Sequence, residues 1–258
     1  MEKIGVILAS FGVLDNSIRK KTADALTEEI SLEFPSVEVH QAYTSNFIVK
    51  KLSERGVFIK TVSEKISELR QKKFSKIILL PTHLTAGEEF DNKIKIHADE
   101  DVKILPPLFT SDCSTNFDKK VFETVLDCFK FDEDKNLILI GHGSPHRHNT
   151  VCENLQRLAD SEKNLCGKIH FGVIEENDTP NFFQVVERLK NFRVKKVLIA
   201  PLLFNGGSHV EKDIAGEEKK SWRSRLVEQG FEVEICREGL GTFKNFRKLY
   251  IDRLKFFL

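Results

Sequence analysis

The feature that most constrains the fold of this chain is an internal repeat. Lys76–Pro81 (KIILLP) recurs as Lys196–Pro201 (KVLIAP), and residues 4–12 (IGVILASFG) recur as residues 136–144 (NLILIGHGS). Both pairs are separated by about 120 to 130 residues, which is the size of a small domain. A repeat of this length predicts two similar lobes produced by duplication of a whole domain.

Short apolar runs rich in valine and isoleucine alternate along the chain with segments of helical periodicity. The predicted strands are residues 4–9, 37–42, 76–80, 102–105, 136–140, 168–174, 196–200 and 231–236. Continuous apolar strands that alternate with amphipathic helices are typical of parallel sheets covered on both faces. We therefore predict an α/β protein with an N-terminal lobe at 1–125 and a C-terminal lobe at 126–258, ending in a packed helix at 242–257.

The composition excludes several classes of function. Forty Lys and Arg balance 39 Asp and Glu, and no basic stripe is present, so we expect no nucleic-acid binding. The N-terminal residues lack the pattern of a signal peptide, and no apolar run reaches membrane-spanning length. The five cysteines form no CxxC motif and predict no disulfide framework. These features favour a cytoplasmic protein.

Three metal-binding residue types follow strands of the second lobe. His142 follows the strand at 136–140, Glu175 follows the strand at 168–174, and His209 lies a few residues beyond 196–200. Because the carboxyl ends of parallel strands meet at one edge, we expect these side chains to converge there. Two imidazoles and a carboxylate suit a borderline divalent metal with open coordination positions. The alternative is that each histidine is an ordinary turn residue.

Other histidines receive a weaker interpretation. His146 and His148 lie in a polar run after Pro145 and are more typical of a solvated rim than of metal ligands. The remaining candidates show no supporting pattern, namely His40, His97 and His170.

The corresponding strand ends of the first lobe carry hydroxyls and carboxylates, which favour contacts to an anionic ligand. These candidate substrate-binding residues are Ser10, Phe11, Thr44, Ser45, Glu88 and Glu89. Ser45 is equally compatible with a helix N-cap, and Glu88 and Glu89 with solvated residues of a helix start.

The order and spacing of short motifs along nearly the whole chain resemble the anaerobic sirohydrochlorin cobaltochelatase family of class II tetrapyrrole chelatases. The motifs are Ser10-Phe11-Gly12, Ala42-Tyr43-Thr44-Ser45, Pro81-Thr82-His83 with Gly87-Glu88-Glu89, Gly141-His142-Gly143, Gly172-Val173-Ile174-Glu175, and Gly207-Ser208-His209. The sequence departs from the family pattern at Ser208, where an acidic residue is usual, and at Glu176, where glycine is expected. Glu176 is therefore either an extra ligand or a replacement for Glu175.

The resemblance implies a two-lobed chelatase fold with a tetrapyrrole in the cleft and the metal on His142, Glu175 and His209. The implied reaction is insertion of Co²⁺ into sirohydrochlorin, with Co²⁺ as substrate and no organic cofactor, in the anaerobic route to cobalamin. One histidine would act as ligand and the other as proton acceptor, in an order that the sequence leaves open. Arg147 would contact substrate carboxylates, and Phe11 and Phe204 would pack on the ring.

Alternatives remain at the level of the sequence. First-row metals share ligand preferences, so ferrochelation or nickel insertion is one alternative. A non-catalytic tetrapyrrole or metal carrier is a second, and a periplasmic-type sensor is disfavoured by the lack of a signal peptide. Twenty-one phenylalanines leave self-association into a homo-oligomer open.

Overall fold

The computed structural model describes residues 3–131, 136–144 and 149–258. Contacts divide this part of the chain into two compact units. Unit 1 consists of Met1–Leu108 and Arg247–Leu258, and unit 2 consists of Phe109–Phe246.

Unit 1 is built on a parallel sheet in the order β3-β2-β1-β4-β5. Its strands are β1 (Ile4–Ser10), β2 (Glu38–Tyr43), β3 (Lys60–Thr61), β4 (Lys76–Pro81) and β5 (Val102–Ile104). Its helices up to β5 are α1 (Asn16–Arg19), α2 (Ala25–Glu33), α3 (Asn46–Ser53), α4 (Val62–Gln71) and α5 (Glu88–Lys93), with a π-helical turn at Lys20–Asp24 and a 3₁₀ turn at Lys95–His97. The central strands are buried on both faces, as expected for a parallel sheet.

Unit 2 repeats this plan with a parallel sheet in the order β7-β6-β8-β9. Its strands are β6 (Leu137–Gly141), β7 (Ile169–Val173), β8 (Lys196–Pro201) and β9 (Glu232–Ile235). Its helices are α6 (Asn116–Cys128), α7 (Val151–Ser161), α8 (Phe182–Asn191) and α9 (Trp222–Glu228), with a π-helical turn at Val210–Ile214 and a 3₁₀ turn at Leu240–Thr242.

The sequence repeat coincides with equivalent strands of the two sheets. β1 lies between β2 and β4 in unit 1, and β6 lies between β7 and β8 in unit 2, so each copy of the repeat supplies a central strand and its neighbour. The prediction of two parallel sheets flanked by helices is confirmed. The extra edge strand β3 was not predicted, because a two-residue strand has no periodicity that a sequence pattern can reveal.

The last helix, α10 (Lys244–Lys255), lies within the helix predicted at 242–257, but most of it belongs to unit 1. The Tyr250 hydroxyl donates to the Thr82 carbonyl at 2.9 Å, and the guanidinium of Arg247 binds the Glu29 carboxylate through both Nε and Nη2. The division by contacts thus differs from the expected boundary between residues 125 and 126, which lies inside α6.

None of the helices in the described ranges is both long and apolar enough to cross a bilayer.

A buried histidine inside unit 2 predicts a pH dependence of stability. His170 on β7 is fully buried and accepts a hydrogen bond at Nδ1 from Arg188 Nε at 3.2 Å. Burial, assisted by the positive charge of Arg188, lowers the pKa of His170 to about 3. The unfolded chain therefore binds an extra proton between about pH 6.5 and pH 3. Unit 2 is stable above this window and loses stability as the pH falls into it.

We expect the free energy of unfolding of unit 2 to fall by about 2 kcal/mol more in the wild type than in His170→Gln between pH 7 and pH 5. Glutamine keeps an acceptor for Arg188 but does not titrate. The measurement is urea unfolding followed by fluorescence of Trp222, the sole tryptophan, which is buried in unit 2. Equal pH dependence of the free energy of unfolding in the two proteins would refute the role of His170.

Candidate functional site

Three strand ends of unit 2 bring the predicted metal-site residues close to one another. His142 follows β6, Glu175 follows β7, and His209 follows β8. His142 Nδ1 lies 3.9 Å from Glu175 Oε1. The imidazole rings of His142 and His209 have centroids 4.7 Å apart and are nearly perpendicular, with an interplanar angle of 86°. Residues that are more than 30 positions apart in the sequence thus form one cluster.

The backbone fixes the first two residues relative to each other. The amide of Ile174 donates to the Gly141 carbonyl at 3.0 Å, and that of Glu175 donates to the His142 carbonyl at 3.1 Å. These bonds extend the β6–β7 pairing into the loops. Gly143 has a φ of +79°, and a Cβ added there would lie 3.0 Å from the Val173 Cβ. Glycine is therefore required for the chain to turn away after His142.

His209 is held by a carboxylate that the sequence analysis did not single out. Its Nδ1 lies 2.7 Å from Asp213 Oδ2, and both residues belong to the turn that contains the π-helical segment Val210–Ile214. Arg237 contacts the same segment, since it pairs with Glu211 at 2.6 Å and donates to the Ala215 carbonyl at 3.3 Å. Insertions of π-helical geometry occur frequently at functional sites.

The Nδ1 atom of each histidine is hydrogen-bonded to an oxygen atom. His142 Nδ1 lies 3.1 Å from the Gly143 carbonyl oxygen, and His209 Nδ1 faces the Asp213 carboxylate. Carbonyl and carboxylate oxygens accept hydrogen bonds, so each Nδ1 carries the proton. In the neutral imidazoles the lone pair is then on Nε2, the atom that binds a metal or accepts a proton.

The metal-binding role of the cluster stays a prediction. No group of three or more His, Cys, Asp or Glu side chains in the described part of the chain forms a metal site as it stands. The side chains of His142, Glu175 and His209 are 43%, 32% and 45% exposed. Side chains with this degree of exposure can be reached by an ion from solvent.

Glu176 faces a different partner from Glu175. Its carboxylate lies 3.3 Å from Nη1 of Arg225, whose guanidinium carbon is 3.8 Å from the centroid of the Phe182 ring. Glu175 instead faces His142. The geometry therefore favours Glu175 as the carboxylate of the cluster and gives Glu176 a contact on the outside of the loop.

The segment that leads to His209 packs closely, backbone against backbone, on the segment around Gly239. A Cβ at Gly239 would lie 2.3 Å from the Gly206 amide nitrogen, and a Cβ at Gly206 would lie 2.5 Å from the Arg237 carbonyl oxygen. Hydrogen bonds from Leu240 to the Leu203 carbonyl and from Gly241 to the Phe204 carbonyl, each 2.8 Å, join the same segments.

Gly239→Ala is expected to destabilise unit 2 by about 1–3 kcal/mol, because the added methyl group meets backbone that has no free direction to move. Gly141→Ala is the matched control, since its Cβ would lie 3.5 Å from the nearest atom, the Cys152 sulfur, in ordinary contact. Urea unfolding followed by Trp222 fluorescence measures both variants. Equal stability of the two would contradict the described contact.

The predicted substrate-binding residues of unit 1 differ in their contacts and in their exposure. The Thr44 hydroxyl donates to Glu89 Oε1, and its amide donates to the Ser10 carbonyl at 2.8 Å. Phe11 is nearly half exposed, whereas Ser10 is buried in β1. Glu89 and Glu88 open helix α5.

Ser45 is an N-cap, since its hydroxyl accepts from the Ile48 amide at 3.3 Å. This agrees with the alternative considered for Ser45 and leaves its contact with substrate a prediction.

His83, which follows β4, belongs to the motif Pro81-Thr82-His83 of the family resemblance but received no functional role from the sequence. Its Nε2 lies 3.8 Å from Glu89 Oε1, and both ring nitrogens are buried without a hydrogen-bond partner among the residues that the structure describes. Its position shortly after the repeated strand Lys76–Pro81 was the available signal.

Phe204 does not form the predicted contact surface for the macrocycle. Phe204 is buried against Gly241, so its side chain belongs to the interior of unit 2 rather than to a surface for substrate. Arg147, His146 and His148 lie outside the described residues.

Comparison with solved structures identifies the class to which this fold belongs. The sirohydrochlorin chelatase SirB from Bacillus subtilis subspecies spizizenii, solved in complex with cobalt, superposes with a TM-score of 0.58 at 11% identity, covering 98% of this chain and 94% of that chain. The molecule therefore has the fold of the two-lobed chelatases.

The sequence identifies the family within that class. The family model for cobalt chelatase (CbiK) matches residues 4–258, so the chain belongs to the cobalt chelatase family. It is 21% identical to sirohydrochlorin cobaltochelatase of Salmonella typhimurium, over 98% of this chain and 95% of that protein. It is 23% identical to sirohydrochlorin cobaltochelatase CbiKC of Nitratidesulfovibrio vulgaris, over 98% and 90%.

Proposed function

We propose that this protein is a sirohydrochlorin cobaltochelatase, which inserts Co²⁺ into sirohydrochlorin on the way to cobalamin. The observation that carries the proposal is the pair of imidazoles at the strand ends of unit 2, each with Nδ1 hydrogen-bonded and Nε2 available, beside the Glu175 carboxylate. Membership of the cobalt chelatase family and the names of the relatives support the choice of metal and substrate.

The chemistry of insertion suits these groups. Two pyrrole N–H protons leave the macrocycle while one Co²⁺ enters, so total charge is balanced and no oxidation state changes. The reaction as proposed therefore needs no organic cofactor. It needs ligands that bind the arriving ion weakly and bases that accept protons near neutral pH, and neutral imidazole serves both purposes.

We assign one Nε2 to transient binding of Co²⁺ and the other to acceptance of the two pyrrole protons in turn, with the first passed to solvent before the second is accepted. The two rings are close enough, at 4.7 Å between centroids, to act on the same ion and the same macrocycle. Glu175 offsets the positive charge of the ion. His142, Glu175 and His209 are thus the proposed metal residues, and the two histidines are the proposed catalytic residues.

Unit 1 supplies the proposed substrate contacts. A tetrapyrrole with many carboxylates is bound by hydroxyls and amides around an apolar surface. We propose that Thr44 and Ser45 contact polar groups of the substrate and that the exposed ring of Phe11 packs on the macrocycle. The remaining proposed substrate-binding residues are Ser10, Glu88 and Glu89.

The same site geometry is compatible with Fe²⁺ or Ni²⁺, because these ions share imidazole and carboxylate ligands with Co²⁺. The names of the two relatives favour cobalt. We further propose a cytoplasmic location, since all five cysteines lie in the described residues and are free thiols. Self-association stays a prediction.

Anaerobic incubation of the purified protein with sirohydrochlorin and Co²⁺, Ni²⁺ or Fe²⁺ tests the proposal through the visible spectrum of the macrocycle. We expect multiple turnovers with Co²⁺ that exceed the rate of the protein-free mixture. Formation of at most one metallated product per protein, with tight retention, would identify a carrier and overturn the enzyme proposal. Faster turnover with Fe²⁺ or Ni²⁺ would overturn the choice of metal.

A further inference from the structure

A buried carboxylate joins the two loops that carry His142 and Glu175. Asp178 is 1% exposed. Its Oδ2 accepts a hydrogen bond from the Ser144 amide at 2.8 Å, and its Oδ1 accepts one from the Thr179 amide at 2.8 Å. Ser144 lies two residues after His142, so a single side chain links the β6 loop to the β7 loop.

The same residue is also tied to Glu175 through the backbone. The Asp178 amide donates to the Glu175 carbonyl at 3.1 Å, which closes a tight turn after β7. At the far end of this turn, the Thr179 hydroxyl donates to Glu153 Oε1 on α7 at 2.8 Å. Asp178 is thus centred between the turn that presents Glu175 and the glycine turn that presents His142.

The chemistry of the contact makes a carboxylate difficult to replace. Both oxygens of Asp178 accept from backbone amides, and an isosteric asparagine has one oxygen and one NH₂ group. In either orientation, the NH₂ group of asparagine would face a backbone N–H, and one buried amide would lose its acceptor. Buried donors without acceptors are unfavourable, so one of the two loops would move.

We infer that Asp178 is a positioning residue for metal insertion, which sets the distance between His142 and Glu175 without contacting metal or substrate. This inference rests on the proposed function. It predicts that loss of either Asp178 hydrogen bond changes the metal-binding geometry and kcat, whereas sirohydrochlorin binding in unit 1 is unaffected.

The test compares Asp178→Asn with Asp118→Asn in the full-length protein. Asp118 is also buried in unit 2 and accepts from the amides of Thr110 and Thr115. The Thr115 bond belongs to the capping box of α6, and neither bond involves the site loops. We expect Asp178→Asn to lower kcat about 10- to 100-fold and to alter the visible spectrum of protein-bound Co²⁺, with KM for sirohydrochlorin unchanged. Asp118→Asn should leave all three unchanged.

The outcomes separate the two proposals. Wild-type protein without turnover would overturn the proposed function itself. The role of Asp178 alone would be overturned if the wild type turns over and Asp178→Asn keeps the wild-type kcat and Co²⁺ spectrum. Equal losses in the Asp118→Asn control would overturn it as well. If Asp178→Asn does not fold, Asp178→Glu is the second variant. It keeps both acceptor oxygens but displaces them by one methylene, so a folded Asp178→Glu protein with wild-type kcat would also overturn the inference.

Discussion

Replacing His209 by alanine is expected to lower kcat/KM for cobalt insertion by at least about 100-fold, the loss typical of removing a positioned proton acceptor. The same loss is expected for His142→Ala. Since the two rings are in edge-to-face contact, the losses should not multiply, and the double variant should fall little below either single variant. Initial rates at several sirohydrochlorin concentrations measure the effect.

His97→Ala is the control for this experiment. His97 lies on the 3₁₀ turn of unit 1 and has no place in the proposed site. It should retain wild-type kcat/KM. A His209→Ala protein that kept more than a tenth of the wild-type value would contradict the role assigned to the imidazole.

Asp213→Ala is expected to lower kcat about 10- to 100-fold, as is usual when the carboxylate behind a metal-binding histidine is removed. The 2.7 Å contact with His209 Nδ1 fixes both the tautomer and the direction of the ring. Without it, the proton can move to Nε2, which then no longer binds a metal. Because the Asp213 side chain is 42% exposed, stability should change by no more than about 0.5 kcal/mol.

Glu211→Ala is the matched control, since Glu211 lies in the same π-helical turn but pairs with Arg237. Its kcat should stay within about threefold of wild type, the range of effects without direct contact to the site. Steady-state rates and urea unfolding of both variants check the prediction. Equal loss of kcat in the two variants would show that the turn as a whole matters, rather than the contact between Asp213 and His209.

The fold could be predicted largely from the sequence because both sheets are parallel and buried. Strands covered on two faces consist of continuous apolar residues, and each predicted strand occurs within one or two residues of its expected position. The partner of the last helix could not be predicted. The apolar residues Phe246, Leu249, Tyr250 and Leu254 indicate a packed helix, but tertiary contacts decide that the helix from Arg247 onward belongs to unit 1.

The same reasoning explains what could be predicted of the site. His142 and Glu175 follow strands almost directly, so topology alone places them together. Asp213 and Asp178 are carboxylates in polar segments, and their sequence surroundings do not differ from those of solvated acidic residues. Only the fold shows that Asp213 faces an imidazole and that Asp178 is buried between two loops.

The central claim is that the insertion chemistry resides at the strand ends of unit 2. Its most direct test is the number of cobalt products formed per protein by the wild type and by the His142→Ala/His209→Ala double variant under anaerobic conditions. The account predicts many products per wild-type protein and, for the double variant, a rate equal to that without protein. Multiple turnovers by a folded double variant would contradict the account and place the chemistry elsewhere in the molecule.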